Sequence, residues 1–347
     1  MADYYDGTKL LSLKDINGNT PEIYLCTSNR AAGKTTFFSK LCVRKYLNNI
    51  DKKINKFFLI YRFAYEVDDV ANKFFKDIGE LFFPNKTMKA SKKAKGVYTE
   101  LFLDEKSCGY AASLNQADQL KKFSHIFSDV CCMFMDEFQS EQNKYAPKEI
   151  EKFQSIHTTV ARGQGKQNRY VPVYMCGNPV SVVNPYYLAL GITNRLQKDT
   201  HFMRGVGWVL EQGFNESASN ALKSSAFNSA FSNNKYAMYA QQNIYLNDSQ
   251  AFIEKPRGKN IYLCTLKYND KLYGVRLYPQ IGVAYCDISI DDSCSHKIAL
   301  TTDDHQTNYI MLGTNAAIIQ QLKYYFYNGS FRFKNQLCKD VIISAII

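Results

Sequence analysis

Ser28-Asn29-Arg30-Ala31-Ala32-Gly33-Lys34-Thr35-Thr36 decides the fold, because it follows directly on the apolar run Ile23-Tyr24-Leu25-Cys26. An apolar strand, a tight turn carrying Gly-Lys-Thr and then a helix form a cradle for phosphate. Backbone N–H groups in such a turn point inward, and the following helix adds its positive N-terminal end. Gly33 permits close backbone approach, Lys34 neutralises phosphate charge and Thr35 offers a hydroxyl to Mg²⁺. The expected cofactors are therefore ATP and Mg²⁺, with Ser28, Asn29, Arg30, Ala31, Ala32, Gly33, Lys34, Thr35 and Thr36 as the binding loop. One departure stands out: Ser28 occupies a position where Gly is usual. Downstream, Phe37, Phe38, Leu41 and Cys42 fall on one helical face, as a helix packed on a sheet requires.

About a hundred residues later Met133-Phe134-Met135-Asp136-Glu137 ends a second apolar run. Residues 130–135 carry no charge, as a strand covered on both faces should. Asp136 is placed to hold Mg²⁺ beside Thr35, and Glu137 to polarise an attacking water. A third apolar strand at 171–176 ends in Gly177-Asn178-Pro179, where Asn178 is a candidate γ-phosphate sensor or, alternatively, a turn residue. Phosphoryl-transfer rings often complete the site with an arginine from a neighbouring subunit. Arg162, in Ala161-Arg162-Gly163 after an expected helix at 147–159, is the leading candidate and Arg169 the second. Arg30 is the candidate to act within its own subunit.

Further strands are expected at 56–61 and 97–103, and a helix at 67–78. This alternation predicts an α/β fold with a mostly parallel sheet and helices on both faces. A strand inserted between the two nucleotide motifs suggests the additional-strand, catalytic-glutamate branch of P-loop ATPases. Residues 84–96 carry Lys86, Lys89, Lys92, Lys93 and Lys95 with little that is apolar. They read as a mobile basic loop, either a solvated connection or a phosphate-backbone contact. Composition turns to Ser, Asn and Ala near 205–234. The expected domains are thus 1–204, a linker at 205–239, and a second α/β domain at 240–347. The second domain has strands at 251–253, 261–268, 272–278 and 282–288, a final helix at 315–327 and a strand at 331–333.

The chain has 347 residues and a net charge of +11, with a pI near 9.0, which favours an anionic partner, nucleic acid first. Most of that charge is in the first part: residues 1–239 carry a net +9 and residues 240–347 a net +2. No apolar stretch approaches the roughly 20 residues of a membrane span. The start, Met1-Ala2-Asp3-Tyr4-Tyr5-Asp6, lacks the basic and apolar regions of a secretory signal. Ten scattered cysteines without C-x-x-C pairs suggest a reducing cytoplasm. The five histidines show no metal-ligand spacing.

With these residues placed, the chain resembles the genome-packaging (encapsidation) ATPases of small podophages with protein-primed linear genomes. The resemblance is carried by Arg30 to Thr35, by Met135-Asp136-Glu137-Phe138, and most specifically by Asn178-Pro179-Val180-Ser181-Val182-Val183-Asn184-Pro185-Tyr186-Tyr187. Asp248 to Lys255, Leu300-Thr301-Thr302-Asp303-Asp304 and Asn328-Gly329-Ser330-Phe331-Arg332-Phe333 add to it. It implies a ring motor, a pentamer, acting in the cytoplasm of an infected bacterium. The motor docks on a capsid portal and pumps double-stranded DNA, in some relatives with a phage structural RNA as scaffold. It also implies an RNase H-like second domain. Such a nuclease needs several carboxylates around two Mg²⁺, one of them from its first strand. Residues 261–268 contain no Asp or Glu, while Asp287, Asp291 and Asp292 lie at or beyond another strand's end. A nuclease-inactive domain that binds nucleic acid or the portal is expected. A P-loop helicase or recombination ATPase is the alternative. A small-molecule kinase is disfavoured by Glu137 as water activator, and Ser28 gives slight support to a non-enzymatic nucleic-acid binder.

Overall fold

The computed structural model describes residues 4–142, 144–182, 184–193, 195–196, 200–230, 253–311 and 315–346. They divide into two compact units. The first takes the described residues of 1–140, 145–179 and 195–244; the second takes those of 141–144, 180–194 and 245–347.

The first unit is built on nine strands: β1 (Ile23–Thr27), β2 (Lys56–Tyr61), β3 (Met88–Lys93), β4 (Tyr98–Leu103), β5 (Lys106–Ser113), β6 (Val130–Asp136), β7 (Val173–Gly177), β8 (Phe202–Gly205) and β9 (Trp208–Gln212). Their order is β3-β4-β5-β2-β6-β7-β1-β9-β8. The six strands from β5 to β9 are parallel. Antiparallel strands close both edges. β7 therefore separates the strand that feeds the phosphate-type loop from the strand that ends at Asp136. Helix Lys34–Leu47 turns Phe38 and Cys42 fully inward, while Phe37 and Leu41 pack at the rim of the same core. The Phe38 ring stacks on Phe134 at 6.0 Å and on Tyr174 at 5.6 Å. One aromatic side chain thus fixes the helix against both β6 and β7, the strands that deliver Asp136 and Asn178.

Two expectations are corrected here, and one strand is added. Residues 84–96 are not a mobile loop, since β3 pairs with β4 along its whole length, from Met88 opposite Leu103 to Lys93 opposite Tyr98. Four of the five lysines of residues 84–96 sit in ion pairs: Lys86 with Asp104, Lys89 with Glu105, Lys92 with Asp68 and Lys93 with Glu100. A lysine-rich edge strand is a common protection against edge-to-edge pairing, and its composition hides it from an apolar pattern. Next, β5 was not expected. It is a buried inner strand whose Gly109 lies so close to β2 that an added Cβ would be 2.7 Å from the Phe57 carbonyl oxygen. Lastly, the sheet runs past residue 204: β9 pairs in parallel with β1 inside the stretch read as a linker. Helix Glu216–Ser224 follows, capped by the Asn215 side chain, which accepts from the Ala218 N–H at 2.8 Å.

The second unit holds β10 (Ile261–Tyr268), β11 (Lys271–Tyr278), β12 (Val283–Asp287), β13 (Lys297–Ala299), β14 (Ile310–Met311) and β15 (Phe331–Phe333), in the order β14-β13-β10-β11-β12-β15. β10, β11 and β12 form an antiparallel meander, and β13, β14 and β15 join in parallel. Asn269 and Asp270 both adopt positive φ, 50° and 59°, as a two-residue hairpin turn requires. The Asp304 carboxylate accepts from both turn N–H groups at 2.9 Å, so the Leu300–Asp304 motif staples that hairpin. Helix Ala316–Tyr327 is not the final one. Helix Gln336–Ile346 follows, burying Val341, Ile342 and Ile346 against the sheet. Its β-branched residues mask its helical period. The expected strand residues 251 and 252, the boundary at 239/240, most of the 248–255 motif and Val183 lie outside the described residues.

Candidate functional site

The carboxyl ends of β1, β6 and β7 converge on a cavity of about 290 Å³ in the first unit. It is lined by Arg30 to Thr36, by Asp136, Glu137, Gly177 and Asn178, and by Tyr4. Gly33 opens helix Lys34–Leu47 with φ 92°, and Ala31 also has a positive φ, 58°. The loop thus takes the left-handed turns that aim successive N–H groups one way.

The charged groups of this wall are arranged oxygen by oxygen. Thr35 Oγ1 donates to Asp136 Oδ2 at 2.9 Å, joining two residues 101 positions apart. Asp136 Oδ1 accepts from the Glu137 N–H and from Cys176 Sγ, both at 3.0 Å. Lys34 Nζ is buried and donates to Ser28 O at 2.9 Å, Ser28 Oγ at 3.1 Å, Asn29 O at 3.0 Å and Asn178 Oδ1 at 3.1 Å. Burial pulls the Lys34 ammonium below the usual lysine range, Arg30 lowers it further, and Asp136 opposes both. Burial, with Asp136 beside it, pushes the Cys176 thiol well up, so it stays a neutral donor.

Two expected loop residues do not line the cavity. Ser28 supplies oxygens to Lys34 from beneath the loop. Asn29 is fully buried, and its amide exchanges two hydrogen bonds with the Asn215 backbone, at 3.0 and 2.8 Å. Glu137 lines the cavity with φ 52°. Its backbone is held by Arg62, which donates to Glu137 O at 3.3 Å and Phe138 O at 2.7 Å. Arg62 Nε in turn meets both oxygens of the buried Glu149, at 3.0 and 3.1 Å. That buried pair would be costly to break from one side.

Of the three candidate arginines, Arg30 lines the cavity and Arg162 and Arg169 do not. Arg162 is exposed, just past helix Glu149–Val160. Arg169 is 7 % exposed and donates to the carbonyls of Val130 at 2.9 Å and Val160 at 2.7 Å. It clamps the backbone that carries Arg162.

Sequence patterns missed Tyr4, Tyr5, Arg62, Glu149, Cys176, Glu211 and Asn215. Tyr5 N–H donates to Ala32 O at 2.7 Å and its hydroxyl to Glu211 Oε2 at 2.6 Å, strapping the N-terminal segment onto the loop. Burial raises the carboxyl pKa of Glu211, countered by the Tyr5 hydrogen bond. Each of these contacts joins residues far apart in the chain and leaves no local spacing to read.

The chain is 26% identical over 316 residues to a DNA packaging protein of Bacillus phage B103, covering 90% of this chain and 92% of that one. It is 25% identical over 299 residues to the DNA packaging protein of Bacillus phage phi29, covering 85% of each. The fold is similar to a solved chain of the bacteriophage Phi-29 viral genome packaging motor assembly, with a TM-score of 0.55 and 24% identity over 98% of this chain and 97% of that one. Residues 2–346 match the model of the Podovirus DNA encapsidation protein (Gp16), and the chain belongs to that family.

Proposed function

We propose that this protein is a ring-forming ATPase motor that hydrolyses ATP to drive double-stranded viral DNA into a preformed capsid. The observation that carries the reading is the 2.9 Å contact between Thr35 and Asp136 on the wall that also holds Lys34, Glu137 and Asn178. A hydroxyl and a carboxylate are the hard oxygen donors that suit Mg²⁺, so Thr35 and Asp136 would hold it. Bound there, the ion supplies charge neutralisation at the phosphate oxygens. Lys34 is the ammonium that neutralises phosphate, Glu137 the carboxylate that accepts a proton from the attacking water, and Asn178 the polar group that senses the γ-phosphate. Arg30 acts from within the subunit. The carbonyl bonds of Arg169 leave Arg162 as the arginine offered to a neighbouring subunit.

Placement of β7 between β6 and β1 supports the additional-strand, catalytic-glutamate type of P-loop ATPase. An antiparallel meander extended by parallel β13 and β14 supports an RNase H-like second domain. That domain is nuclease-inactive in this reading, because Asp287 is already held by Arg276 at 2.6 Å and Lys255 at 3.2 Å. Its role is then to bind nucleic acid or the portal. In this reading the protein works as a pentameric ring in the host cytoplasm, docked on the portal and in some settings scaffolded by a structural RNA; membership of a DNA encapsidation family supports it. Among the described residues no helix is long and apolar enough to cross a membrane. The reading is tested by ATP hydrolysis with and without double-stranded DNA, followed by packaging into empty capsids. DNA-stimulated hydrolysis that is lost in Lys34→Ala, together with filled capsids, is expected. Stimulated hydrolysis that fills no capsid would favour a helicase or recombination ATPase.

A further inference from the structure

We infer that Tyr4 is the nucleobase platform of the ATP site, a base subsite built from the N-terminal segment; this rests on the nucleotide-binding reading above. Among the described residues the cavity wall is otherwise polar, charged or small, and Tyr4 is its one aromatic lining residue. The ring lies directly over the loop: a Cβ added to Gly33 would be 2.8 Å from Tyr4 Cδ1. Yet Tyr4 is 58 % exposed, and no ring stacks on it among the described residues.

An exposed aromatic is worth explaining when its backbone is held in place, and here it is. The next residue hydrogen-bonds Ala32 O through its N–H and Glu211 through its hydroxyl. The Tyr5 ring meets Phe37 edge-on at 5.6 Å. Gly7 passes so close to Phe37 that a Cβ there would lie 2.6 Å from the ring. Asp6 accepts from the Thr8 N–H at 3.0 Å, which turns the chain into the helix that follows. The ring is therefore presented at the mouth of a phosphate-binding loop at little further entropic cost on binding. With the triphosphate in the loop, the base must leave through that mouth, and a flat π-face there recognises it by stacking. Stacking tolerates any base but favours the larger purine surface.

Equilibrium binding of ATP and of inorganic tripolyphosphate, each with Mg²⁺, separates a base subsite from loop packing. Tyr4→Ala should weaken ATP binding roughly tenfold, within the range seen for loss of one base–aromatic stack. Tripolyphosphate affinity should not change. Tyr4→Phe should restore ATP affinity, and Tyr4→Ala should narrow the preference for ATP over CTP. Unchanged ATP affinity, or equal weakening of ATP and tripolyphosphate, would overturn the inference. Lys34→Ala separates the two layers of the argument. If that variant binds ATP as tightly as the parent, the nucleotide reading falls; if it does not, and Tyr4→Ala has no effect, only the base subsite falls.

Discussion

Asp136 and Asp287 each end a strand of a sheet, and their surroundings could hardly differ more. Asp136 accepts from a hydroxyl, a thiol and a backbone N–H, all neutral. Asp287, only 4 % exposed, accepts from the Arg276 guanidinium and the Ser289 N–H and lies against the Lys255 ammonium. Neutral donors orient a carboxylate and leave its charge for a cation, whereas cationic donors consume it. Position at a strand end thus says little about chemistry, and the formal charge of the donors says much. If Asp136 holds Mg²⁺ as proposed, Asp136→Asn should lower ATP turnover on the order of a thousandfold, because metal placement would be lost. Asp287→Asn should leave basal turnover intact and destabilise the second unit by roughly 3 kcal/mol, the cost of stranding a buried cation. Steady-state hydrolysis and thermal melts of both variants check this. Plasmid cleavage with Mg²⁺ or Mn²⁺ that disappears in Asp287→Asn would break the contrast, since Asp287 would then be a metal ligand.

That the two motifs would meet on one cavity wall was legible because each pattern is local. Gly33-Lys34-Thr35 after an apolar strand, and Asp136-Glu137 ending another, are short patterns whose spacing follows from a strand-to-helix turn. Asn269-Asp270 was legible for the same reason. What escaped was set by tertiary packing. β5 looks unpromising because Gly109 exists to let Phe57 approach, and β9 looks like part of a polar connection until β1 pairs with it. The lysines of β3 read as a loop because edge strands spend their exposed positions on charge. The strap of Tyr5 on Glu211 spans 206 positions and leaves no periodic trace.

The arginines repeat the contrast with opposite charge. Arg169 has its guanidinium engaged by backbone carbonyls, while Arg162 is exposed beside it. If Arg162 completes a neighbour's site, Arg162→Ala and Glu137→Gln subunits should each be inactive alone. Mixed, they should recover part of the parental ATPase, because some interfaces pair an intact Arg162 with an intact Glu137. Hydrolysis measured across mixing ratios, with assembly confirmed, checks this. No recovery at any ratio would leave both arginines structural and erase the distinction between them.

The smallest effect is expected at the β3 edge, where charges pair in water rather than in the core. The Lys86, Lys89, Lys92 and Lys93 side chains are 38 to 68 % exposed. Their hydrogen bonds hold Asp68 and Asp104 below the usual carboxylate range. Exposed pairs of this kind add little to stability, so replacing the four lysines by Ser should hardly move the melting temperature. DNA affinity is the sharper probe. A free lysine that meets a phosphate contributes about 0.9 to the slope of log affinity against log salt. Four free lysines would change that slope by roughly 3.6. A lysine already matched to a carboxylate displaces no such counterion and must first give up its partner. The Lys86→Ser, Lys89→Ser, Lys92→Ser, Lys93→Ser protein should therefore shift the slope by less than about 1 and keep its basal ATPase. A shift near the full value would mean that double-stranded DNA strips these lysines from their acids, and that pairing at an exposed edge, unlike the pairing of Asp287, does not take a charge out of use.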